Sequence, residues 1–290
     1  MTETEMKISY STNGFIEYSV FEAIERIADI GYEGVELLAD SPHLYADYLS
    51  TQDLEKLKGF IGRTELKVAN INANTAMGWY GRDFWEPLFE PSLANPDKEL
   101  RHWRVEYSKK CVDLADWVGA DCISVTSGRC APDFDPKTSM GFLLESLREL
   151  VEYAEERSIR IGIEYEPGLL VERYEELAIV LEKLPSRWLG ANLDLGHSHV
   201  LGEDPARVIE GLGHKIFHVH LEDIRDRKHY HLVPGTGDMN FPELLRILCN
   251  SGYSGFATVE LYTYLRCPEE VARQALKFLT DIRIDGQNER

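Results

Sequence analysis

Seven of the nine histidines fall between His197 and His231: His197, His199, His214, His218, His220, His229 and His231. Carboxylates flank them at Glu164, Glu166, Asp194, Glu222, Asp223 and Glu260. Imidazoles and carboxylates that converge from several segments are the ligands of Mn2+, Zn2+, Fe2+ or Co2+, and of Mg2+ where carboxylates dominate. A single histidine is ordinarily a hydrogen-bonded structural or surface residue. The constellation with Glu164, Asp194 and Glu260 points instead to a metal site.

The elements that must position these groups are legible as a repeating switch of hydrophobic period. Eight short β-rich runs are predicted: 6–12, 34–39, 68–74, 122–128, 160–166, 189–197, 216–223 and 255–262. Eight amphipathic stretches alternate with them: 19–31, 51–65, 97–119, 136–158, 174–184, 204–213, 240–252 and 268–284. Alternating strands and helices imply parallel βαβ units, and eight units in 290 residues suit a closed (β/α)8 TIM barrel. No G-x-G-x-x-G follows the first strand, which argues against an open dinucleotide-binding sheet. No Pro/Gly/Ser-rich linker divides the chain, so a single barrel domain over 1–290 is expected. Catalytic groups of such barrels sit where strands end. The fifth strand offers Glu164 and Glu166, and the sixth Asp194 with His197 and His199. The seventh offers His218, His220, Glu222 and Asp223, and the eighth Glu260. Strand alternation puts Glu164 and Glu166 on one face, and likewise His218 and His220, so parity alone leaves each pair open.

Composition bounds the partners. Fifty acids against 31 bases give a net charge of −19, which argues against nucleic acid and anionic membrane surfaces. No apolar run reaches the roughly 18 residues of a membrane span. The N-terminal MTETEMKISY lacks the apolar core of a secretory signal. Five widely spaced cysteines without a C-x-x-C fit reduced thiols, so a cytoplasmic location is expected. Cys111, Cys122 and Cys249 lie in apolar contexts and read as core. No G-x-S-x-G elbow is present.

Four segments, GIEYEP (162–167), NLDLGH (192–197), HVHLED (218–223) and TVELY (258–262), resemble the xylose isomerase-like barrels. That family includes sugar and sugar-phosphate isomerases and epimerases, with endonuclease IV as a related branch. The resemblance implies that Glu164, Asp194, His220 and Glu260 bind one divalent metal ion, Mn2+, Zn2+, Co2+ or Mg2+. His197, from the D-x-x-H segment, matches a substrate-contacting histidine of the epimerases. The segment RKHYHLVPGTGDMNF (227–241) resembles the endonuclease IV stretch with an acid-x-His pair, with His229 in place of the acid and His231 as the histidine. His197, His229 and His231 are therefore expected to form a second metal site or a substrate-binding group. That branch also carries histidines at the ends of strands 3 and 4, where this chain has Asn72 and Asn74, and Thr126 and Ser127.

The activity implied is isomerisation or epimerisation of a small carbohydrate, phosphorylated or not, by proton transfer next to a carbonyl through an enediolate. Glu164 and Glu260 would be the catalytic acid and base as well as ligands. A dehydratase of the 3-dehydroshikimate type, an endonuclease IV-like phosphodiesterase, or a non-catalytic binding barrel are the alternatives. Glu166 and Arg225 are candidate substrate-binding residues, and the solvated Arg227 is less so. The long connection 75–96 carries Trp79, Tyr80, Phe84, Trp85 and Phe89. It is expected either to cover the site, with Trp79 on substrate, or to pack on the rim or into a homodimer contact. The G-T-G at 235–237 lies where barrels often hold phosphate, but P-G-T-G without a neighbouring lysine reads more simply as a turn.

Overall fold

The computed structural model describes residues 6–74, 77–81 and 89–288. Phe84 and Trp85 lie outside them. Eight parallel strands close the barrel: β1 (Lys7–Ser11), β2 (Gly34–Leu38), β3 (Lys67–Asn72), β4 (Cys122–Thr126), β5 (Arg160–Glu164), β6 (Leu189–Asp194), β7 (Ile216–Leu221) and β10 (Phe256–Val259). Their order around the barrel follows the chain, and β1 pairs with β10 to close it. A separate antiparallel pair, β8 (Asp223–Arg225) and β9 (Lys228–Leu232), stands after β7. The helices are α1 (Val20–Ile30), α2 (Thr51–Ile61), α3 (Met77–Tyr80), α4 (Lys98–Val118), α5 (Pro136–Glu156), α6 (Tyr174–Lys183), α7 (Leu195–Leu201), α8 (Pro205–Leu212), α9 (Phe241–Asn250) and α10 (Pro268–Asn288). No helix among the described residues is long and apolar enough to cross a membrane.

Local chemistry explains where elements start. Ser19 and Glu22 form a reciprocal capping box on α1, and Ser50 and Asp53 do so on α2. Asp97, Asp135 and Asn240 cap α4, α5 and α9 through their side chains. Apolar strand residues such as Ile8, Val35, Ile71, Val125, Ile163, Leu193, Val219 and Val259 are buried in one cluster with the helix residues Ile24, Leu57, Leu147 and Leu279. The alternate positions, which strand geometry turns to the other face, are polar: Ser9, Glu36, Asn70, Ser124, Asn192, His218 and Thr258 are all buried.

Three departures from the expected elements have physical causes. The run 189–197 is not one strand: it ends at Asp194, whose Oδ1 accepts the His197 N–H at 2.8 Å and starts α7. The β8–β9 hairpin turns on Asp226 and Arg227, both at φ +55, in the left-handed region without the glycine that advertises such turns. Cys249 is exposed near the end of α9, whose buried face is Phe241, Leu244, Leu245 and Leu248; Cys111 and Cys122 are buried as expected.

The closeness of β6 to its neighbours rests on Gly190. A Cβ there would stand 2.3 Å from the Lys215 carbonyl oxygen and 2.6 Å from the Phe217 ring. Gly190→Val should lower the unfolding free energy by about 1–3 kcal/mol, through overpacking. Gly59→Ala, in open space on α2, should raise it by up to about 1 kcal/mol. Urea unfolding of the two variants checks both signs.

Candidate metal centre and its surroundings

Strand ends bring Glu164 (β5), Asp194 (β6), His220 (β7) and Glu260, one residue beyond β10, to one place. All four are buried, and one ligating atom from each lies within 4.8 Å of the others. The common focus is His220 Nδ1: it stands 3.1 Å from Glu164 Oε1, 3.7 Å from Glu260 Oε2 and 3.9 Å from Asp194 Oδ2.

Each carboxylate keeps its other oxygen occupied. Asn74 Nδ2 donates to Glu164 Oε2 at 3.2 Å. Asn13 Nδ2 donates to Glu260 Oε1 at 2.7 Å, with Asn72 Nδ2 at 3.4 Å. Asp194 Oδ1 is the α7 cap, and its buried Oδ2 lies 3.9 Å from His220 Nδ1, with the Glu222 carboxyl beside Asp194. One oxygen of each acid is thus fixed by protein donors while the other faces the imidazole. That donor set, three carboxylates and one imidazole nitrogen, all buried, fits a hard or borderline divalent cation. Asn72 and Asn74, where histidines would stand in the endonuclease branch, serve as carboxylate anchors.

Crowding of like charges perturbs the acids. Burial raises Glu260, the His220 charge opposes this, and the Glu164, Glu36 and Asp194 charges add to it, leaving Glu260 pushed up to about 8. For Asp194, burial is outweighed by His197 and other partners, which hold it well below the usual carboxylate range. Burial also works against a charged His220, but Glu36, Glu260 and Glu164 push it well above the ordinary histidine value. Burial, with Asp194 next to it, raises Glu222 well above its usual range. Half-buried Glu166 is pushed up to about 7 by desolvation, against His197 and with the Glu164 and Asp194 charges.

A second cluster adjoins the first. The Nε2 atoms of His197 and His229 are 3.0 Å apart, and those of His229 and His231 are 2.7 Å apart. His197 Nδ1–H donates to the Tyr165 carbonyl and His231 Nδ1–H to the Glu260 carbonyl, both at 3.0 Å. Those bonds orient the rings and turn the Nε2 atoms of both toward His229. His231 sits at φ +47, a left-handed backbone rare for a non-glycine residue. Burial followed by the charge of neighbouring histidines lowers His229 to about 4 and His231 to about 3.

Other sequence candidates lie elsewhere. Arg225, on β8, is exposed, and its guanidinium donates to the Thr236 carbonyl rather than to the cluster. Trp79, 37% exposed, has its ring 4.2 Å from Trp103, which stacks on Tyr107. Asp40 holds α3 by accepting the Met77 and Gly78 N–H groups. The G-T-G segment is a turn: Asp223 accepts the N–H groups of Ile224, Gly235, Gly237 and Met239, at 2.7 to 3.2 Å. A Cβ at Gly237 would meet Asp223 Oδ1 at 2.3 Å.

Sequence reasoning missed Glu36. Its Oε2 accepts from His220 Nε2 at 2.7 Å. The available signal was an acid inside the apolar run GVELLA (34–39).

A parallel barrel with buried acids and imidazoles gathered at its strand ends is the architecture of a family with which this chain can be compared directly. The model of the xylose isomerase-like TIM barrel family matches residues 24–282, and the chain belongs to that family. Fructoselysine 3-epimerase of Shigella flexneri is 26% identical over 277 residues, 94% of this chain and 96% of the relative. The 3-dehydroshikimate dehydratase of Pseudomonas aeruginosa is 26% identical over 83% of this chain but only 36% of its own length. Among solved structures, a D-tagatose 3-epimerase-like protein superposes with a TM-score of 0.77 at 24% identity, over 95% of this chain and 99% of that one. The IolI protein with a bound zinc atom gives 0.78 at 19%, over 96% and 98%.

Two pH effects follow. Cation binding must displace the protons held by His220 and by Glu260, whose value is about 8. Affinity for Mn2+ or Zn2+ should therefore fall about tenfold or more from pH 8 to pH 6, and competition titration against a chelator measures it. In the metal-free protein, His229 and His231 stay neutral down to about 4 and about 3, whereas unfolded histidine protonates near 6.5. The unfolded state binds more protons in between, so stability falls as pH drops from 6.5 towards 4. A His229→Asn/His231→Asn double variant should show a shallower loss in urea unfolding at pH 7 and pH 5.

Proposed function

We propose that the protein is a divalent-metal-dependent sugar isomerase or epimerase. It moves a proton at the carbon next to a ketose carbonyl, through an enediolate. The observation that carries this reading is that Glu164 and Glu260 each present one oxygen to His220 Nδ1, at 3.1 and 3.7 Å, while asparagine anchors the other. Relatives of this chain include sugar epimerases and dehydratases.

The bound cation would supply charge for a developing oxyanion at the substrate carbonyl. Glu164, Asp194, His220 and Glu260 would hold it. Glu164 and Glu260 project from strand ends three apart around the eight-stranded barrel, β5 and β10. One carboxylate takes the α-proton while the other returns a proton. Return to the opposite face of the same carbon epimerises, and return to the neighbouring carbon isomerises. Asn74, Asn13 and Asn72 fix which oxygen each glutamate presents. Glu166, two residues beyond the end of β5, would meet a sugar hydroxyl. The imidazole trio His197, His229 and His231 would take a second cation or bind substrate directly.

The test is deuterium incorporation from D2O at the carbon beside the carbonyl. The panel comprises ketoses, ketose phosphates and fructoselysine, with Mn2+-loaded protein. One substrate class should exchange. Glu164→Gln and Glu260→Gln should each slow exchange by about 100-fold to 10,000-fold, the contribution of a positioned general acid or base. No exchange across the panel would overturn the reading. Elimination of water from a 3-keto substrate begins with the same proton abstraction, and product mass separates a dehydratase from an epimerase.

A further inference from the structure

The floor of the site is a second polar layer inside the barrel, which neither the strand-end reading nor the proposed proton transfer uses. Glu36, in the middle of β2, is fully buried. Its Oε2 accepts from His220 Nε2 at 2.7 Å and from Asn70 Nδ2 at 2.8 Å. His218 Nε2 stands 3.3 Å from the same oxygen. Asn70 is held in turn by Ser124 Oγ at 2.9 Å, and His218 by Thr258 Oγ1 at 2.8 Å, with Ser9 Oγ against Thr258.

An imidazole presents its two nitrogens on different sides of the ring. In His220, Nδ1 faces Glu164, Asp194 and Glu260, while Nε2 faces Glu36. Glu36 therefore meets the ring from the side away from the three acids. Burying a carboxylate without contact to substrate is costly unless it is paired and hydrogen-bonded. Barrel interiors are ordinarily packed with branched apolar side chains at this depth. The bond made to the second nitrogen of a ligating histidine fixes both its tautomer and its ring angle.

We propose that Glu36 is the positioning residue of the metal centre: by holding Nε2–H it presents Nδ1 of His220 to the point where Glu164, Asp194 and Glu260 converge. Asn70 and His218 keep the Glu36 carboxylate under the ring. The proposal rests on the reading of His220 as a ligand, and the two fail separately. If the unmodified protein binds neither Mn2+ nor Zn2+, the metal reading itself falls. If it binds one of them and loss of Glu36 changes nothing, only this proposal falls.

The experiment compares the full chain with Glu36→Ala and Glu36→Gln. Zinc affinity is read by competition with a chromogenic chelator, and the His220 ring by long-range proton–nitrogen NMR of the zinc-loaded protein. The unmodified chain should show a protected Nε2–H and no proton on Nδ1. Glu36→Ala should weaken zinc binding by about 10-fold to 100-fold and expose the Nε2–H to fast exchange. Glu36→Gln keeps an acceptor of the same shape and should recover most of that affinity, with the Nε2–H resonance moved upfield by the weaker neutral bond. A folded Glu36→Ala protein with unchanged zinc affinity and a still protected Nε2–H overturns the proposal. Should Glu36→Ala fail to fold, an unmoved affinity and an unmoved Nε2–H resonance in Glu36→Gln overturn it equally. A purely structural role would lower the melting temperature without moving the His220 resonance.

Discussion

Mutual repulsion among buried carboxylates is the constraint to which the strand ends answer. Glu36, Glu164, Asp194 and Glu260 surround a single imidazole, and Glu222 lies against Asp194. Like charges this close cannot all ionise in a low-dielectric site unless cations or donors compensate them. Without a metal, the surrounding acids push His220 well above the ordinary histidine value and burial with like charges pushes Glu260 up to about 8. A divalent cation is the charge that the proposed centre would add to this set.

The barrel supplies the geometry that makes this tolerable. Register pairs Glu164 with Asn192 across β5 and β6, and Asp194 with His220 across β6 and β7, so the proposed ligands come from adjacent strand ends. The carboxylate oxygens not aimed at His220 are tied by Asn13, Asn72, Asn74 and the α7 N–H of His197. Asp194 therefore links two features, since capping α7 with one oxygen also places His197 beside the His229–His231 pair. Below, the Glu36 layer replaces the usual apolar filling with bonds that hold the central ring.

Much of this was legible in the sequence, and the limits have physical reasons. The alternation of periods gave all eight barrel strands because buried parallel strands and amphipathic helices have distinct patterns. Strand ends then exposed Glu164 or Glu166, Asp194, His218 or His220, and Glu260 as candidates. The resemblance to the family, not periodicity, separated His220 from His218. Periodicity could not find the β8–β9 hairpin, whose turn puts Asp226 and Arg227 in the left-handed region with no glycine to mark it. It also ran β6 through Asp194, because a capping aspartate followed by Leu195 looks like a continuing strand. Arg225 was chosen by proximity in sequence, and a hairpin sent its side chain to the Thr236 carbonyl instead. Glu36 was missed because it lies more than a hundred residues from the other groups and contacts them only once the barrel closes.

The most direct test of the proposed centre is anomalous diffraction from crystals of the protein loaded with Mn2+, recorded on both sides of the manganese edge. A manganese peak bounded by Glu164, Asp194, His220 Nδ1 and Glu260, at roughly 2.0–2.3 Å from each ligand atom, is the predicted result. A fully loaded crystal with no peak there, or with manganese bound by the surface residues His102, Glu106 and Glu149 alone, would contradict the account.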